Sequence, residues 1–292
     1  MAISAAIFWG VSGTCAQFLF EKRNLDPAWL VSWRLLLAGV ILLLFAFTRK
    51  QNDAMRIWKK PAHIFQLLLF SILGMVAVQF TYFYSINLSN AATATVLQYI
   101  GPCFVVAYFA IKNRRWPLML EYAALFLALT GTFLLVTHGS FQQLVISEKA
   151  LFWGILSALT LAFYTVYPVN LLRSYSSVTV NAWAMLIGGL VFSLYTKPWE
   201  ISGDWDLGTW GAFSYIILFG TVISFSIFLY SLNLIGAQTA SLLCSVEPLS
   251  ATLAAVWWLN VSFVGMDWVG TLLIILTIAV LTVATKPDKV VA

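Results

Sequence analysis

Long apolar runs broken by brief polar punctuation make up almost all of this chain. Between Pro61 and Ile111, 51 residues pass without an Asp, Glu, Lys or Arg, and between Leu207 and Val246 another 40 do so. A helix that crosses a bilayer needs about 20 apolar residues, so each tract holds two spans joined by a tight, uncharged turn. The same reading along the chain predicts ten spans, near 2–20, 28–47, 63–84, 91–111, 117–138, 150–170, 178–196, 209–232, 237–259 and 266–285. The breaks between them carry turn chemistry: Asn24-Leu25-Asp26-Pro27, Asn87 to Asn90, Trp116-Pro117, Lys197-Pro198 and Gly236.

Composition agrees. Hydrophobic residues are 61% of the chain and charged ones 9%, against roughly 25% charged in soluble proteins; too little charge is present to clothe a soluble core. The net charge of +5 does not indicate nucleic acid, because Lys and Arg gather at span ends: Arg49, Lys50, Arg56, Lys59, Lys60, then Lys112, Arg114, Arg115. Such clusters orient helices in a membrane. With the N-terminus inside, inside loops and tail hold 11 Lys/Arg and outside loops hold 4, which places both termini in the cytoplasm. Cys15, Cys103 and Cys244 lie within apolar spans, with neither disulfide nor metal spacing. His63 and His138 fall near opposite faces of the membrane and do not read as a metal pair. The Phe8-Trp9-Gly10 stretch lacks a basic leader and returns at 152–154, so the first apolar stretch reads as a working helix and not as a signal peptide.

The chain also repeats itself. Tyr84-Ser85-Ile86-Asn87-Leu88, with Ala91, Thr93, Ala94, Leu97 and Pro102, matches Tyr230-Ser231-Leu232-Asn233-Leu234, with Ala237, Thr239, Ala240, Leu243 and Pro248. Nine of 19 positions are identical without a gap. Two units follow, residues 1–139 and 150–286, each with five spans. An odd number of spans makes the second copy start on the opposite side of the membrane. The expected architecture is therefore an all-α integral membrane protein with ten transmembrane helices from two inverted five-helix repeats. Inverted repeats of this kind are the basis of alternating access.

Candidate chemistry concentrates in the matched fourth and ninth spans. Thr95, Gln98, Tyr99 and Pro102 share one helical face; Ser241, Cys244, Ser245 and Pro248 are their aligned counterparts. Each proline removes a backbone hydrogen bond, which makes Pro102 and Pro248 hinge candidates, or else kinks that serve packing alone. Glu247 breaks the symmetry, since its counterpart is Gly101. It falls about 15 Å into its span, and an intramembrane carboxylate usually marks a substrate, ion or proton path; the alternative is a structural carboxylate bonded to a Ser or Tyr or paired with Arg34. Arg34 lies roughly 9 Å inside the second span; it is a candidate to pair with Glu247 or to bind a carboxylate substrate, with snorkelling to the interface or structural pairing the expectation for it. Gln79 and Tyr82 on the third span, Gln17 on the first, and Ser157, Thr160, Tyr164 and Tyr167 on the sixth complete a set suited to a small amphipathic or zwitterionic molecule. Each of these alone reads equally as interhelical glue.

These residues resemble the EamA family of the drug/metabolite transporter superfamily over essentially the whole chain. The resemblance rests on Phe8-Trp9-Gly10, on Trp33-Arg34-Leu35-Leu36-Leu37-Ala38-Gly39, on Asn90-Ala91-Ala92-Thr93-Ala94 and on Glu247-Pro248. The stretches Gly131 to Gly139 and Ala150 to Gly154 look closer still to its carboxylate/amino acid/amine transporter branch. The resemblance implies ten helices from duplicated units, a central cavity, and export or exchange of small metabolites such as amino acids across a bacterial inner membrane. One departure is plain: Lys112-Asn113-Arg114-Arg115 and Leu259-Asn260-Val261 stand where many members carry Gly-Glu.

Catalytic and nucleotide-binding motifs are absent from the sequence, so the expectation is a secondary transporter with no cofactor. Its expected partners are a small-molecule substrate and the lipid bilayer, not nucleic acid; protons are a candidate coupling ion and a second copy of the chain a candidate partner. A lipid- or isoprenoid-modifying membrane enzyme and a non-transporting scaffold are the alternatives. The enzyme should show Asp/Glu/His clusters at a membrane surface, and the scaffold has no need of Glu247 at mid-depth. A topology reporter fused after Lys289 is expected to be active in the cytoplasm, and activity confined to the periplasm would reverse the orientation.

Overall fold

The computed structural model describes residues 1–48, 53–112, 114, 116, 118–140, 145–228, 230, 231, 243, 244 and 246–284. Every element among them is helical, and nine helices are long and apolar enough to cross a membrane. In chain order these are α1 Ala2–Arg23, α2 Pro27–Thr48, α3 Pro61–Leu88, α4 Ala91–Lys112, α5 Met119–Thr137, α6 Glu148–Ser174, α7 Ser177–Thr196 and α8 Leu207–Phe228, then, after a shorter described helix α9 Val246–Leu259, α10 Gly265–Ala284. The sequence-predicted starts of the ninth span, near 237, and Ser241 lie outside the described residues. Helices are the form that hydrocarbon permits, because each peptide group satisfies its neighbours within the segment.

Ends are sealed by side chains. Asn90, Ser147, Ser176 and Asp206 each accept from a backbone N–H three residues on, capping α4, α6, α7 and α8. The Asp206 carboxyl is held below the usual carboxylate range, first by the Thr209 backbone N–H and hydroxyl and then by Arg23. Where α1 ends and α8 begins, the Arg23–Asp206 ion pair at 2.6 Å ties the connections together, and the Trp29 and Trp33 indoles donate to the carbonyls of Glu200 and Pro198. At the other end, Trp183 Nε1 donates to the Ala54 carbonyl and Arg56 to that of Ser174.

Packing relies on small residues. The α2–α7 crossing brings Gly39 against Leu186 and Gly189 against Leu36, each backbone on backbone. In the α5–α10 crossing, a Cβ on Gly131 would lie 2.7 Å from the Gly270 carbonyl oxygen, and one on Gly270 would lie 2.7 Å from that of Gly131. His138 Nε2 meets Asp267 Oδ1 at 2.7 Å where α5 ends and α10 begins, so the two helices run antiparallel. Apolar side chains gain little by leaving lipid for another helix; close backbone approach and dispersion hold such seams.

Four helices depart from α geometry, α6 among them with a turn at Tyr167 and Pro168 between Val166 and Val169. α3 contains a π-helical segment, Phe70–Val76, and α8 another, Leu218–Ile223. α4 breaks at Tyr99 and Ile100 and resumes at Gly101. Gly131→Val is expected to lower stability by about 1–3 kcal/mol by overpacking the α5–α10 seam, read as thermal unfolding in detergent. Leu125→Ala, on an exposed face of α5, serves as the control that should leave the transition in place.

Candidate functional site

The centre of the site is a contact between the broken helix α4 and the acidic helix α9. Tyr99, the residue at which α4 breaks, turns its hydroxyl to Glu247, with Oη 2.9 Å from Oε2, and the same Oη lies 2.5 Å from the Cys244 carbonyl oxygen. Glu247 is 8% exposed, and Tyr99 is the one hydrogen-bond partner of its carboxylate among the described residues. α1 presses on this part of α9 through Gly10, where a Cβ would lie 2.8 Å from the Glu247 carbonyl oxygen and 2.7 Å from the Ala251 nitrogen.

Arg34 corrects the snorkelling expectation. It is 5% exposed and turns into the protein, donating Nε to Thr221 Oγ1 at 2.6 Å and Nη2 to the Gly220 carbonyl at 2.9 Å, with its guanidinium 4.8 Å above the Phe83 ring. The physical reason is the π segment of α8. Widening the helix there frees carbonyls, and Thr221 and Ser224 hydroxyls take those of Ile216 and Phe219, five residues back. Arg34 takes the Gly220 carbonyl, so burial gives it partners that the interface would not. No ion pair within 4 Å joins it to Glu247, though it is near enough to act electrostatically on both Glu247 and Tyr82. A basic and an acidic side chain are thus both buried without touching, a costly arrangement in lipid when both are charged.

The remaining sequence candidates divide. Tyr82 is buried in the same region, its hydroxyl 2.7 Å from Thr95 Oγ1. Gln98, the last residue of the first part of α4, is buried beside the break, and Pro102 follows in the first turn of the second part. Pro248 follows Glu247 and is buried; Ser245 lies outside the described residues. Gln17 is engaged elsewhere: its Oε1 accepts from the Ala91 N–H at the start of α4, and its Nε2 donates to Glu21. Gln79 Nε2 faces Met75 Sδ at 3.2 Å, and its Oε1 is buried without a partner among the described residues. Tyr164 stacks on Phe70 and meets Phe225 edge-on, with centroids at 5.5 and 6.3 Å, extending an aromatic row from Phe225 to Trp9. Thr160 bonds Thr81 across α6 and α3.

Sequence reasoning missed Thr221 and Gly220. A signal existed: Gly74 and Gly220 are 146 residues apart, the repeat spacing, and each lies in a π segment.

Comparison with known proteins bears on this arrangement. The EamA-like transporter family matches residues 1–137 and 148–283. The chain belongs to that family. A relative from Salmonella typhimurium, named an uncharacterized inner membrane transporter YicL, is 41% identical over 97% of this chain and 94% of its own. A Bacillus subtilis relative, named an uncharacterized transporter YwfM, is 25% identical over 98% of this chain and 93% of its own. A solved crystal structure superposes with a TM-score of 0.67 at 17% identity, covering 97% of this chain and 96% of that one, which speaks for the fold alone. As a member of this family the protein is a multi-pass membrane transporter and not an enzyme.

Arg34→Gln is expected to lower thermal stability in detergent by about 1.5–3 kcal/mol, the usual worth of a hydrogen bond to a charged group. Arg34→Lys should recover only part of this, since an ammonium cannot span Thr221 and Gly220 as the planar fork does.

Proposed function

We propose that this EamA-family transporter is a secondary transporter of small organic metabolites, namely amino acids, amines or related carboxylates. It works by alternating access in a bacterial inner membrane, with ten spans in two inverted five-helix repeats and both termini cytoplasmic. Several contacts that recur at the repeat spacing support the inverted pairing. The α2–α7 and α5–α10 crossings are each reciprocal. The starts of α5 and α10 are closed the same way, by Glu121 accepting from the Leu118 N–H and Asp267 from the Val264 N–H, 146 residues apart. The π segments of α3 and α8 recur at the same interval.

The observation that carries the functional reading is Glu247: a buried carboxylate beside a helix break, with one hydrogen bond and no cation in contact among the described residues. A permanently structural acid would be expected to gather more partners. Glu247 is the group that takes up a proton or a substrate ammonium, and Arg34, Gln98, Tyr82 and the unpartnered Gln79 Oε1 offer complementary polar contacts along the path. Conserved net charge across the two half-reactions follows if a proton and a cationic group compete for the one carboxylate.

The test is Glu247→Gln in proteoliposomes, which keeps shape and most hydrogen bonding but removes the titration. If Glu247 couples protons, gradient-driven net transport collapses while substrate exchange survives. If it binds an ammonium, apparent affinity falls in both assays by about 1.5–3 kcal/mol. Wild-type net transport, exchange and pH dependence in this variant would make Glu247 structural and defeat the reading.

A further inference from the structure

The proline of α9, its carboxylate and the break in α4 converge on a single hydroxyl. Pro248 has no N–H, so the carbonyl of Cys244, four residues before it, has no donor from position 248. The Tyr99 hydroxyl stands in for that donor, 2.5 Å from the Cys244 oxygen. It also lies 2.9 Å from Glu247 Oε2. A phenol has one proton to donate, and here two acceptors are in reach.

The state of Glu247 decides between them. As a carboxylate it only accepts, and a charge-assisted bond is the stronger one; Tyr99 then gives its proton to Glu247, and the Cys244 carbonyl is left without a donor. When Glu247 is protonated it can itself donate to the Tyr99 oxygen, which frees the phenolic proton for the Cys244 carbonyl. A cationic group seated on Glu247 has the same effect, because it satisfies the carboxylate and releases Tyr99. A carbonyl left without a donor is costly in hydrocarbon, so bending of α9 at Pro248 would be favoured or opposed according to where that proton points. Tyr99 is itself the C-cap of the first part of α4, with ψ near 2°, so one hydroxyl joins the break in α4 to the carbonyl that Pro248 leaves without its helical donor.

We propose that Tyr99 is a positioning residue that transmits the charge state of Glu247 to the proline bend of α9. This rests on the reading of Glu247 as the coupling group and goes beyond it by naming the mechanical link. The titratable or charged groups acting on Glu247 are Tyr99 of α4 and Arg34 of α2, with Tyr82 of α3 and the Cys244 thiol also within its electrostatic influence; α1 presents Gly10 there, which carries no side chain. Guanidinium, phenols and thiol each keep one charge state below about pH 8, which leaves Glu247 as the group that switches.

The experiment is a spin-label distance measurement on full-length protein in nanodiscs with Cys15, Cys103 and Cys244 replaced by Ser, since the Cys244 contact uses the backbone. Labels at Trp257→Cys on α9 and Leu194→Cys on α7, both exposed positions, report the bend. The parent protein should show two different distances at pH 5.5 and pH 8. Glu247→Gln should stay at the acid distance at both. Tyr99→Phe should lose the pH response, and so should Pro248→Ala, which gives the Cys244 carbonyl its own helical donor. If Tyr99→Phe fails to fold, Pro248→Ala carries the same test. A full pH response in either variant, or none in the parent, overturns the proposal. Failure of the Glu247 reading shows separately, as wild-type gradient-driven transport by Glu247→Gln in proteoliposomes.

Discussion

In a bilayer interior, a backbone carbonyl or N–H that lacks a partner in the protein finds none in the solvent. Regular helices answer that demand for most of this chain, and the informative places are those where the helix does not. The π segment of α8 loosens its carbonyls, and Thr221, Ser224 and Arg34 reach in to take them. The proline of α9 orphans one carbonyl, and Tyr99 arrives from another helix. The start of α4 exposes an N–H, and Gln17 caps it from α1. These polar side chains are placed where the backbone is interrupted, and interruptions are where a helix can bend.

A duplicated scaffold carries chemistry that is not duplicated. Glu247 stands opposite Gly101 in the repeat, and in the stretches Trp33 to Gly39 and Trp183 to Gly189 the partner of Arg34 is Ala184. Small residues in those counterpart positions allow close contact instead: Gly101 faces the Ala158 carbonyl oxygen of α6 at 3.1 Å from its would-be Cβ. The two buried charges belong to different repeats yet lie within electrostatic reach of each other.

Much was legible from the residues alone because membrane constraints are one-dimensional. Approximate limits follow from apolar run length, so nine of the ten predicted spans meet a helix of spanning length among the described residues, as 91–111 and 178–196 do at Ala91–Lys112 and Ser177–Thr196. The family resemblance likewise needed no coordinates, because it is a property of sequence order. Arg34 stayed open between snorkelling and structural pairing for the same reason. Its depth favoured snorkelling, and depth says nothing about the loosened carbonyls of a helix 187 positions away.

What tertiary structure decided is which interruptions face each other. The run of residues names Tyr99, Pro248 and Glu247 as unusual but is silent on a phenol 145 residues upstream completing the hydrogen bonding of a proline-freed carbonyl. It also cannot distinguish Gln17 as a cap from Gln17 as a ligand, since both uses require only an amide on an inward face. The physical reason is common to all these cases. Helix formation and membrane insertion depend on local composition, whereas hydrogen bonds between helices depend on the rotation and register with which they pack, and those are set by small-residue seams such as Gly131 on Gly270 and Gly39 on Leu186.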